Sequence, residues 1–438
     1  MTSHIPSFQL PSLPWLQLPP LPSLAHLDGT RLQANSTATL AVATAASAAV
    51  LYYCWPSSSL HTPSRQNHDD SLPSRPSLLP AHRGLDVINN GVADLVGNTP
   101  LIRLTTLSDL TGCDIYGKAE YLNPGGSSKD RVALSILRSA ASRGLLRPGG
   151  TVYEGTVGST GISLALMCRA LGYRAHIVMP DDVARDKVDM LERLGATVER
   201  VRPVSIIDAN HFVNLARRRA QEDANGVFAD QFENLDNVRV HLATTGPEIV
   251  EQTEGGRRLD AFVMGAGTGG TLAGVARCVK RAAAALGRHI QVVLADPQGS
   301  GLFNKVKFGV LYAPTEAEGT RRRHQVDTVV EGIGLNRLTS NFAKALPFVD
   351  DAVRVTDQEA VDMARYLMLH EGLFVGSSSA VNVVAAVRVA KRLGAGKTVV
   401  TLLCDSGTRH LSKFWNDEYL SYEGLEPRQV DKSFIEGL

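Results

Sequence analysis

Cysteine is scarce in this chain, and neither sign of charge is in excess. The 438 residues include five cysteines, scattered through the sequence with no Cys-x-x-Cys pair. An odd, scattered set of this kind disfavours a disulfide framework and a structural zinc site, and it indicates a reducing compartment. The 45 lysines and arginines nearly balance the 44 aspartates and glutamates, giving a formal net charge of +1. With no basic stripe that carries interleaved aromatics, the sequence argues against binding to nucleic acid.

The first 85 residues lack the patterns of strand and helix that are found later. Prolines mixed with serine and leucine over residues 11–22 exclude one regular element there. Residues 36–55 carry no charge over 20 positions and end in the aromatic run Leu51-Tyr-Tyr-Cys-Trp55. That length matches a bilayer span, and the aromatics suit its interface. Alanine and threonine make the segment only weakly apolar, so a cleaved targeting segment is the alternative to the transmembrane anchor that we predict.

A tether is predicted between this segment and the rest of the chain. Residues 56–80 are rich in proline, serine, histidine and aspartate, a composition typical of disordered linkers. Arg65, Arg75 and Arg83 follow the predicted anchor, whereas Arg31 alone precedes it. Because positively charged flanks stay on the cytosolic side, an anchored chain would carry its remaining residues in the cytosol.

From Asp94 onward, short apolar runs alternate with helical periodicity, and no internal repeat is present. Repeated strand–helix units predict an α/β fold, with parallel sheet covered by helices on both faces. The predicted strands are 100–104, 114–121, 151–154, 175–179, 197–201, 227–229, 259–264, 291–295, 353–355 and 398–404. The predicted helices include 184–194, 208–222 and a long one over 238–252.

One lysine stands at an unusual place in this pattern. Asn123-Pro-Gly-Gly126 is a turn sequence, and Ser127 or Ser128 can cap the helix that follows. Lys129 then lies in the first helical turn, where the macrodipole and the unpaired N–H groups disfavour a cation. A lysine with a lowered pKa offers a neutral amine that can form a Schiff base. A solvated surface lysine is the equally open interpretation.

Three glycine or serine turns follow predicted strands or precede helices. Gly267-Thr-Gly-Gly-Thr271 places glycines, two hydroxyls and a helix start together, which is typical of a phosphate site. It is not a Walker A motif, although a dinucleotide loop with Asp296 as the ribose acid remains open. Thr156-Val-Gly-Ser-Thr-Gly161 is also suited to an anion, with a plain tight turn as the alternative. Gly376-Ser-Ser-Ser379 begins another helix and could be only its cap.

Together these segments resemble the cysteine synthase and cystathionine β-synthase family of pyridoxal 5'-phosphate enzymes. The resemblance covers about residues 94–416, and the phosphate loop matches residue for residue. Gln231-Phe-Glu-Asn234 is similar to a family segment that helps hold the substrate carboxylate. Residues 331–334 resemble the family's active-site glycine loop and residues 404–409 resemble the end of its final strand, and both support the resemblance. The resemblance implies the fold of PLP fold type II, which is tryptophan synthase β-like. Two lobes of mostly parallel sheet would make up residues 86–420, with a smaller lobe near 124–236 and a tail over 421–438.

The resemblance also implies a role for each residue of the matching motifs. Lys129 would be the catalytic residue. Ser378 would face the pyridine nitrogen, where a hydroxyl leaves the ring a weaker electron sink and suits β-elimination and replacement. The residues implied for the cofactor are Lys129, Ser159, Gly267, Thr268, Gly269, Gly270, Thr271 and Ser378, and those implied for the substrate are Thr156, Gly158, Thr160 and Gln231. The sequence departs from the family pattern at Ser128, at Val157, where the family has serine, and at Ser159, where it has asparagine.

The activity implied by the resemblance is the formation of L-cysteine and acetate from O-acetyl-L-serine and sulfide. A serine dehydratase, a cystathionine β-synthase and a non-catalytic, membrane-tethered PLP-binding protein are the alternatives. The implied partners are a small amino acid and sulfide, a membrane through the N-terminal segment, and a second copy in a homodimer; no metal is implied. Because the N-terminal segment is similar to that of fungal membrane- or mitochondrion-associated relatives, we expect a mitochondrial location, with a cytosol-facing outer-membrane protein or a cytoplasmic one as variants.

Overall fold

The computed structural model describes residue 88, residues 91–312 and residues 328–438. The predicted anchor at 36–55 and the tether that follows it lie outside these residues. Within the described part of the chain, no helix combines the length and the apolar character needed to cross a membrane.

Ten strands in the described residues form two sheets. They are β1 (Leu101–Arg103), β2 (Asp114–Ala119), β3 (Thr151–Gly155), β4 (Arg174–Pro180), β5 (Thr197–Val201), β6 (Gly226–Phe228), β7 (Ala261–Gly265), β8 (Gln291–Pro297), β9 (Asp351–Val355) and β10 (Thr398–Leu403). The larger sheet has the order β1-β2-β10-β7-β8-β9, and the smaller has the order β5-β4-β3-β6. All pairs are parallel except β1 with β2. The predicted parallel α/β architecture is therefore confirmed, and the edge strand β1 is the exception.

Helices cover both sheets. The α-helices of the described residues are α1 (Thr105–Thr111), α2 (Lys129–Ser142), α3 (Ser159–Leu171), α4 (Arg185–Arg193), α5 (Phe212–Glu222), α6 (Asp236–Ala243), α7 (Thr245–Gln252), α8 (Gly270–Ala285), α9 (Leu302–Phe308), α10 (Ser340–Ala343), α11 (Asp357–Tyr366), α12 (Ser377–Leu393), α13 (Asp417–Tyr422) and α14 (Lys432–Gly437). The strands β7 and β10 are buried along their whole length, which explains their continuous apolar sequences.

Two helix predictions need correction. The long helix predicted over 238–252 is broken at Thr244 into α6 and α7. Pro247 has no N–H to donate to the carbonyl of Ala243, so a continuous helix would lose a hydrogen bond there, whereas a new helix tolerates proline in its first turn. The helix predicted from Asp208 begins four residues later, at Phe212, because the His211 side chain accepts from the Val213 N–H and caps it.

The carboxyl ends of three strands meet in the cleft between the sheets. Each of β3 and β7 runs into a glycine turn and then directly into a helix, α3 and α8 respectively. Beyond β10, Asp405 forms a β-bridge with Ser127, which stands two residues before α2. Ligands of parallel α/β sheets bind at the carboxyl ends of the strands, so this arrangement positions a site.

Candidate active site

One cavity of about 660 Å³ brings together the residues implied by the resemblance. The members of that set that line it are Lys129, Thr156, Gly158, Ser159, Thr160, Gln231, Gly267, Thr268, Gly269, Thr271 and Ser378. Gly270, the remaining member, is the first residue of α8. Segments more than 200 residues apart in the sequence therefore face one space.

Lys129 is the first residue of α2 and lines this cavity. Its backbone N–H donates to the Ser127 hydroxyl oxygen at 3.3 Å. Ser128 is the N-cap residue, but its side chain makes no capping hydrogen bond, so the predicted serine cap does not form. Burial lowers the pKa of the lysine, and the nearby Cys404 and Asp405 oppose that effect. The direction agrees with the sequence argument, but the principal cause is desolvation, which the position in the helix could not reveal.

The loop before α8 has the donor set of a phosphate site. The amide N–H groups in the first turn of α8 have no acceptor within the helix. The Thr268 hydroxyl oxygen accepts from Asn237 Nδ2 at 2.9 Å, which leaves the Thr268 proton for an anion. Thr271 Oγ1 lies 3.1 Å from Nε2 of His241. Burial holds the pKa of His241 well below its usual range, so this histidine adds no charge behind the loop.

Glycine is required in this loop by close packing. Gly269 has a φ of 88°, and a Cβ there would lie 2.4 Å from the Phe342 Cα. A Cβ on Gly270 would lie 2.0 Å from Oδ1 of Asn237. The backbone of the loop is thus held against its neighbours on one side and faces the cavity on the other. These residues fit the phosphate group of pyridoxal phosphate.

The turn between β3 and α3 provides a second group of hydrogen-bonding side chains. Thr160 Oγ1 donates to Oε1 of Gln231 at 2.6 Å, and both side chains are buried. Gln231 Nε2 in turn donates to Oε1 of Glu154 at 3.3 Å. A Cβ on Gly158 would meet no atom within 4 Å, so space is open above this turn. An open anion-binding turn in the same cavity as Lys129 suits a small carboxylate.

Ser159 is held by charged neighbours. Arg409 Nη1 donates to the Ser159 hydroxyl oxygen at 3.1 Å. The same hydroxyl donates to Oδ2 of Asp405 at 3.4 Å. Arg409 therefore reaches the cavity wall at the position where this sequence departs from the family pattern. Its presence there was not predicted, since residues 404–409 gave only a supporting resemblance.

Ser378 and Cys404 form the wall near the start of α12. Ser378 is buried, and its hydroxyl is near enough to the Cys404 thiol to affect its pKa. Burial raises the pKa of Cys404 to about 11, so the thiol stays neutral at physiological pH. Asn382 Nδ2 also donates to the sulfur at 3.4 Å. Ser378 and Cys404 therefore place neutral hydrogen-bonding groups in the cavity wall, and the role of Ser378 toward a ring nitrogen stays a prediction.

A cluster of charged side chains closes one side of the cavity. Lys187 Nζ lies 2.5 Å from Oε2 of Glu331, and the same oxygen lies 3.1 Å from Nδ1 of His410. On its other side, His410 Nε2 lies 3.1 Å from Oδ2 of Asp405. Burial alone would lower the pKa of His410, but the two carboxylates outweigh it and raise that pKa to about 9. Asp405 and His410 follow the end of β10, a sequence signal that could have identified them; Lys187 carried none.

Positive charge prevails around the cavity. The lysines and arginines that line it are Lys129, Lys187, Arg337, Arg409 and Lys413, and the acidic residues are Asp182, Glu331 and Asp405. A cavity with excess positive charge in a low-dielectric wall concentrates anionic ligands. This balance suits both a phosphate and an amino-acid carboxylate.

Comparison with known proteins gives a consistent result. The family model described as "Pyridoxal-phosphate dependent enzyme" matches residues 92–405. "Cysteine synthase 2" of Neurospora crassa is 58% identical over 77% of this chain and 75% of its own length. "Cysteine synthase 2" of Schizosaccharomyces pombe is 55% identical over 80% of this chain and 89% of its own length. A Saccharomyces cerevisiae protein, provisionally named a mitochondrial cysteine synthase, is 55% identical over 75% of this chain and 84% of its own.

A solved structure shares the same architecture. The crystal structure of an O-ureido-L-serine synthase superposes with a TM-score of 0.66 and 29% identity. The match covers 80% of this chain and 100% of that one. The expected fold, PLP fold type II with mostly parallel sheets flanked by helices, is confirmed.

Proposed function

The chain belongs to the pyridoxal-phosphate-dependent enzyme family, and on that premise we propose that it is a cysteine synthase. It joins O-acetyl-L-serine to sulfide and releases L-cysteine and acetate. The observation that carries the proposal is the placement of Lys129 in one cavity with two separate anion-binding turns. The names of relatives at 53–58% identity support this reaction over the alternatives.

Lys129 both holds the cofactor and moves a proton. Bound pyridoxal phosphate supplies an aldehyde that reacts with amines and a ring that withdraws electrons from the substrate Cα. The loop from Gly267 to Thr271 would hold its phosphate, and Ser378 would face its ring nitrogen. Since burial lowers its pKa, Lys129 offers a neutral amine that would hold the cofactor through its aldehyde and would give up that place to the substrate amine. The freed lysine then takes the Cα proton as a general base.

The turn before α3 orients the amino acid. The Thr160 hydroxyl, the Gly158 amide region and the Gln231 carboxamide hold its carboxylate, and Thr156 completes the turn. Ser159 would lie beside the bound cofactor. As the Cα proton goes to Lys129, the Cβ–O bond breaks and acetate leaves with the electron pair; hydrosulfide then forms the Cβ–S bond. The proton returns from Lys129 to Cα, so that acetate is exchanged for hydrosulfide and the product carries a thiol.

Product analysis of the full-length protein tests this proposal. The chain is purified with pyridoxal phosphate and mixed with O-acetylserine and sulfide, and cysteine and acetate are quantified. We expect equimolar cysteine and acetate. Pyruvate from serine would instead identify a dehydratase, and a thioether from serine and homocysteine would identify a cystathionine β-synthase. A cofactor absorbance without turnover on any of these substrates would identify a PLP-binding protein that is not an enzyme.

The proposal includes a location at a mitochondrial membrane. It rests on the uncharged segment 36–55 and on the name of the Saccharomyces cerevisiae relative. The finer form of the proposal is an outer-membrane anchor with the enzyme on the cytosolic side, the enzyme itself being a homodimer. The full-length protein should resist carbonate extraction from mitochondria, and the double variant Ala46→Arg/Val50→Arg should be released. Ser58→Arg, in the tether, is the matched control. Release of the unmodified protein, or a mature N-terminus beyond Trp55, would exclude the anchor.

A further inference from the structure

A buried carboxylic acid lies behind the proposed carboxylate-binding turn. Glu154 stands at the end of β3 and is fully buried. Its two oxygens face one residue: Oε2 lies 3.3 Å from the backbone N of Gln231, and Oε1 lies 3.3 Å from the Gln231 carboxamide. Burial raises the pKa of Glu154 to about 8, and the neighbouring charge of Asp230 acts in the same direction. The group is therefore mainly a neutral acid at pH 7.

Glu154 is connected to the cavity through two side chains. The Gln231 carboxamide lies between Glu154 and Thr160, with its nitrogen toward the acid and its oxygen 2.6 Å from Thr160 Oγ1. In this orientation the single proton of the Thr160 hydroxyl is donated to Gln231. That hydroxyl then has no proton to donate to an anion in the cavity.

Rotation of the Gln231 carboxamide by half a turn reverses the hydrogen bonds that connect Thr160 to Glu154. The oxygen and nitrogen of a primary amide exchange places with almost no change in shape. The nitrogen would then donate to Thr160 Oγ1, and the threonine proton would turn toward the cavity. The carboxamide oxygen would now meet Oε1 of Glu154, so the reversed orientation needs a proton on that carboxyl group.

We propose that Glu154 is a positioning residue for the amino-acid substrate: as a neutral acid it donates to Gln231, which turns the Thr160 hydroxyl toward the substrate carboxylate. This inference rests on the proposed function, because it assumes that the turn before α3 binds an amino acid. It assigns Glu154 no contact with the substrate. Its action passes through Gln231 and Thr160.

Ionisation of Glu154 would oppose substrate binding in two ways. It would remove the proton that the reversed carboxamide needs, and it would bring a buried negative charge close to the substrate carboxylate. The helices packed against β3 are α3 and α5, and His211, which caps α5 and lines the cavity, is a titratable group on that side. Asp230, after β6, is the charged group that raises the pKa of Glu154. Amino-acid affinity should therefore fall as the pH passes about 8.

Calorimetric titration with L-alanine tests the proposal on the full-length holoenzyme. Alanine carries the carboxylate and amine but no leaving group at Cβ, so binding is measured without turnover. With a pKa of about 8, we expect the Kd of the unmodified protein, divided by the Kd of Glu154→Gln at the same pH, to rise about fourfold between pH 7 and pH 8.5. Loss of the ammonium proton of alanine affects both proteins alike and cancels in this ratio. Measurements stop at pH 8.5 because His410, which also lines the cavity, has a pKa of about 9. In Glu154→Gln the amide supplies a permanent donor, so its Kd should match that of the unmodified protein at pH 7 and lie below it at pH 8.5.

A second variant keeps the test decisive if Glu154→Gln does not fold. Asp230 has a φ of 52°, a backbone conformation that asparagine adopts readily, so Asp230→Asn should fold. Loss of its charge should move the rise in Kd to lower pH. An unchanged pH profile in both variants would overturn the proposal, as would a profile in Glu154→Gln that equals that of the unmodified protein. Since alanine does not react, these outcomes are separate from a failure to form cysteine, which would overturn the proposed function alone.

Discussion

At the scale of single residues, the chemistry depends on one amine and on the neutral groups around it. Lys129 begins a helix and is desolvated, and both features disfavour its charged form. The carboxylate of Asp405 and the Cys404 thiol are near enough to act on its pKa. The wall at Cys404 stays neutral, because burial raises the pKa of that thiol to about 11. The site thus combines a nucleophilic lysine with a neutral wall at Cys404 and one carboxylate, Asp405, which partly opposes the effect of burial on the lysine.

Lys129→Ala should fold but lose both the cofactor absorbance and cysteine formation. Alanine is a good helix former, and it removes the amine without disturbing the helix start. Absorbance spectroscopy of the purified variant checks the first effect, and circular dichroism checks the fold. Lys344→Ala, at an exposed position outside the cavity, is the matched control and should keep both properties. A normal cofactor spectrum with turnover in Lys129→Ala would refute the assignment.

Ser159→Asn should raise kcat/KM for O-acetylserine. An asparagine oxygen can accept from Arg409 as the serine does now, while its amide nitrogen adds a donor in the cavity. One added hydrogen bond to a carboxylate stabilises binding by roughly 1.5–3 kcal/mol, about tenfold or more. Steady-state kinetics on O-acetylserine, serine and O-phosphoserine provide the measurement. Ser159→Ala, which removes the acceptor for Arg409, should lower the same ratio.

The outcome for Ser159→Asn also bears on the substrate. If the variant shows unchanged or lower activity on all three amino acids, Ser159 is adapted to a different substrate. The O-acetylserine assignment would then lose its mechanistic support. The Arg409 guanidinium beside Ser159 would in that case be the group to examine next, because it reaches the same part of the wall.

Site residues that belong to a short motif could be predicted from the sequence. The residues that hydrogen bond to those motif residues from other helices could not. Gly267 to Thr271 could be recognised because glycine, hydroxyls and a helix start coincide in one short segment. Asn237 and His241, which hold the two threonines of that loop from α6, lie about 30 residues away with no local pattern. Such contacts depend on how helices pack, and a single sequence carries no local trace of them.

At the scale of elements, α2 is fixed by a buried group of charges. Arg131 Nη1 lies 2.6 Å from Oε1 of Glu248 on α7, and its Nη2 lies 2.8 Å from Oε1 of Glu120. Lys118 of β2 also reaches Glu248, at 2.7 Å. The group joins β2, α2 and α7. Since Arg131 is two residues from Lys129, it sets the position of the helix start that carries the lysine.

Glu248→Gln should weaken the dependence of stability on acid pH. Burial alone would raise the pKa of Glu248, but Arg131 and Lys118 outweigh it and lower the pKa to about 2. A carboxyl group with a lowered pKa in the folded state contributes stability that is present above its unfolded pKa and is lost as the pH falls. Between pH 7 and pH 4 the folded protein should lose about 1 kcal/mol through this group.

Urea unfolding at the two pH values measures this effect on the loaded enzyme. The difference in free energy of unfolding between the unmodified protein and Glu248→Gln should narrow by about 1 kcal/mol on going from pH 7 to pH 4. Glu418→Gln, at an exposed position on α13, is the control and should show no such narrowing. A difference that is equal at both pH values would show that Glu248 does not have a lowered pKa in the folded state.

The bounds of strands and helices could be predicted from the sequence only in part. Strand β5 was predicted at its observed bounds, 197–201, where β-branched threonine and valines follow the turn residue Gly195. The α6–α7 break was missed because apolar periodicity continues across Thr244, whereas the missing N–H of Pro247 decides the geometry. The short helices α1, α9, α10, α13 and α14 were not predicted, since each has eight residues or fewer and offers little periodicity.

At the scale of the whole molecule, charged side chains from elements beside both sheets pair with one another at one side of the cavity. Lys187 belongs to α4, which packs beside the four-stranded sheet. Glu331 lies in the segment between β8 and β9, and His410 follows β10 of the six-stranded sheet. Their ion pairs therefore join the two sheet layers at the edge of the site. Charge on His410 is needed for this link, since it stands between the carboxylates of Glu331 and Asp405.

The pairing of His410 with Asp405 and Glu331 should weaken at alkaline pH. His410 has a folded pKa of about 9, above the ordinary value of 6.5, because Asp405 and Glu331 outweigh the effect of burial. A histidine with a raised pKa contributes stability that is fully present below about pH 6.5 and is lost as the pH rises through 9. The difference in free energy of unfolding between the unmodified enzyme and His410→Gln should therefore narrow by about 3 kcal/mol over this range. His289→Gln, at an exposed histidine, is the control for urea unfolding at each pH. If the difference stays constant from pH 6.5 to 9.5, His410 is not the charged link, and closure of the cavity must depend on Lys187 and Glu331 alone.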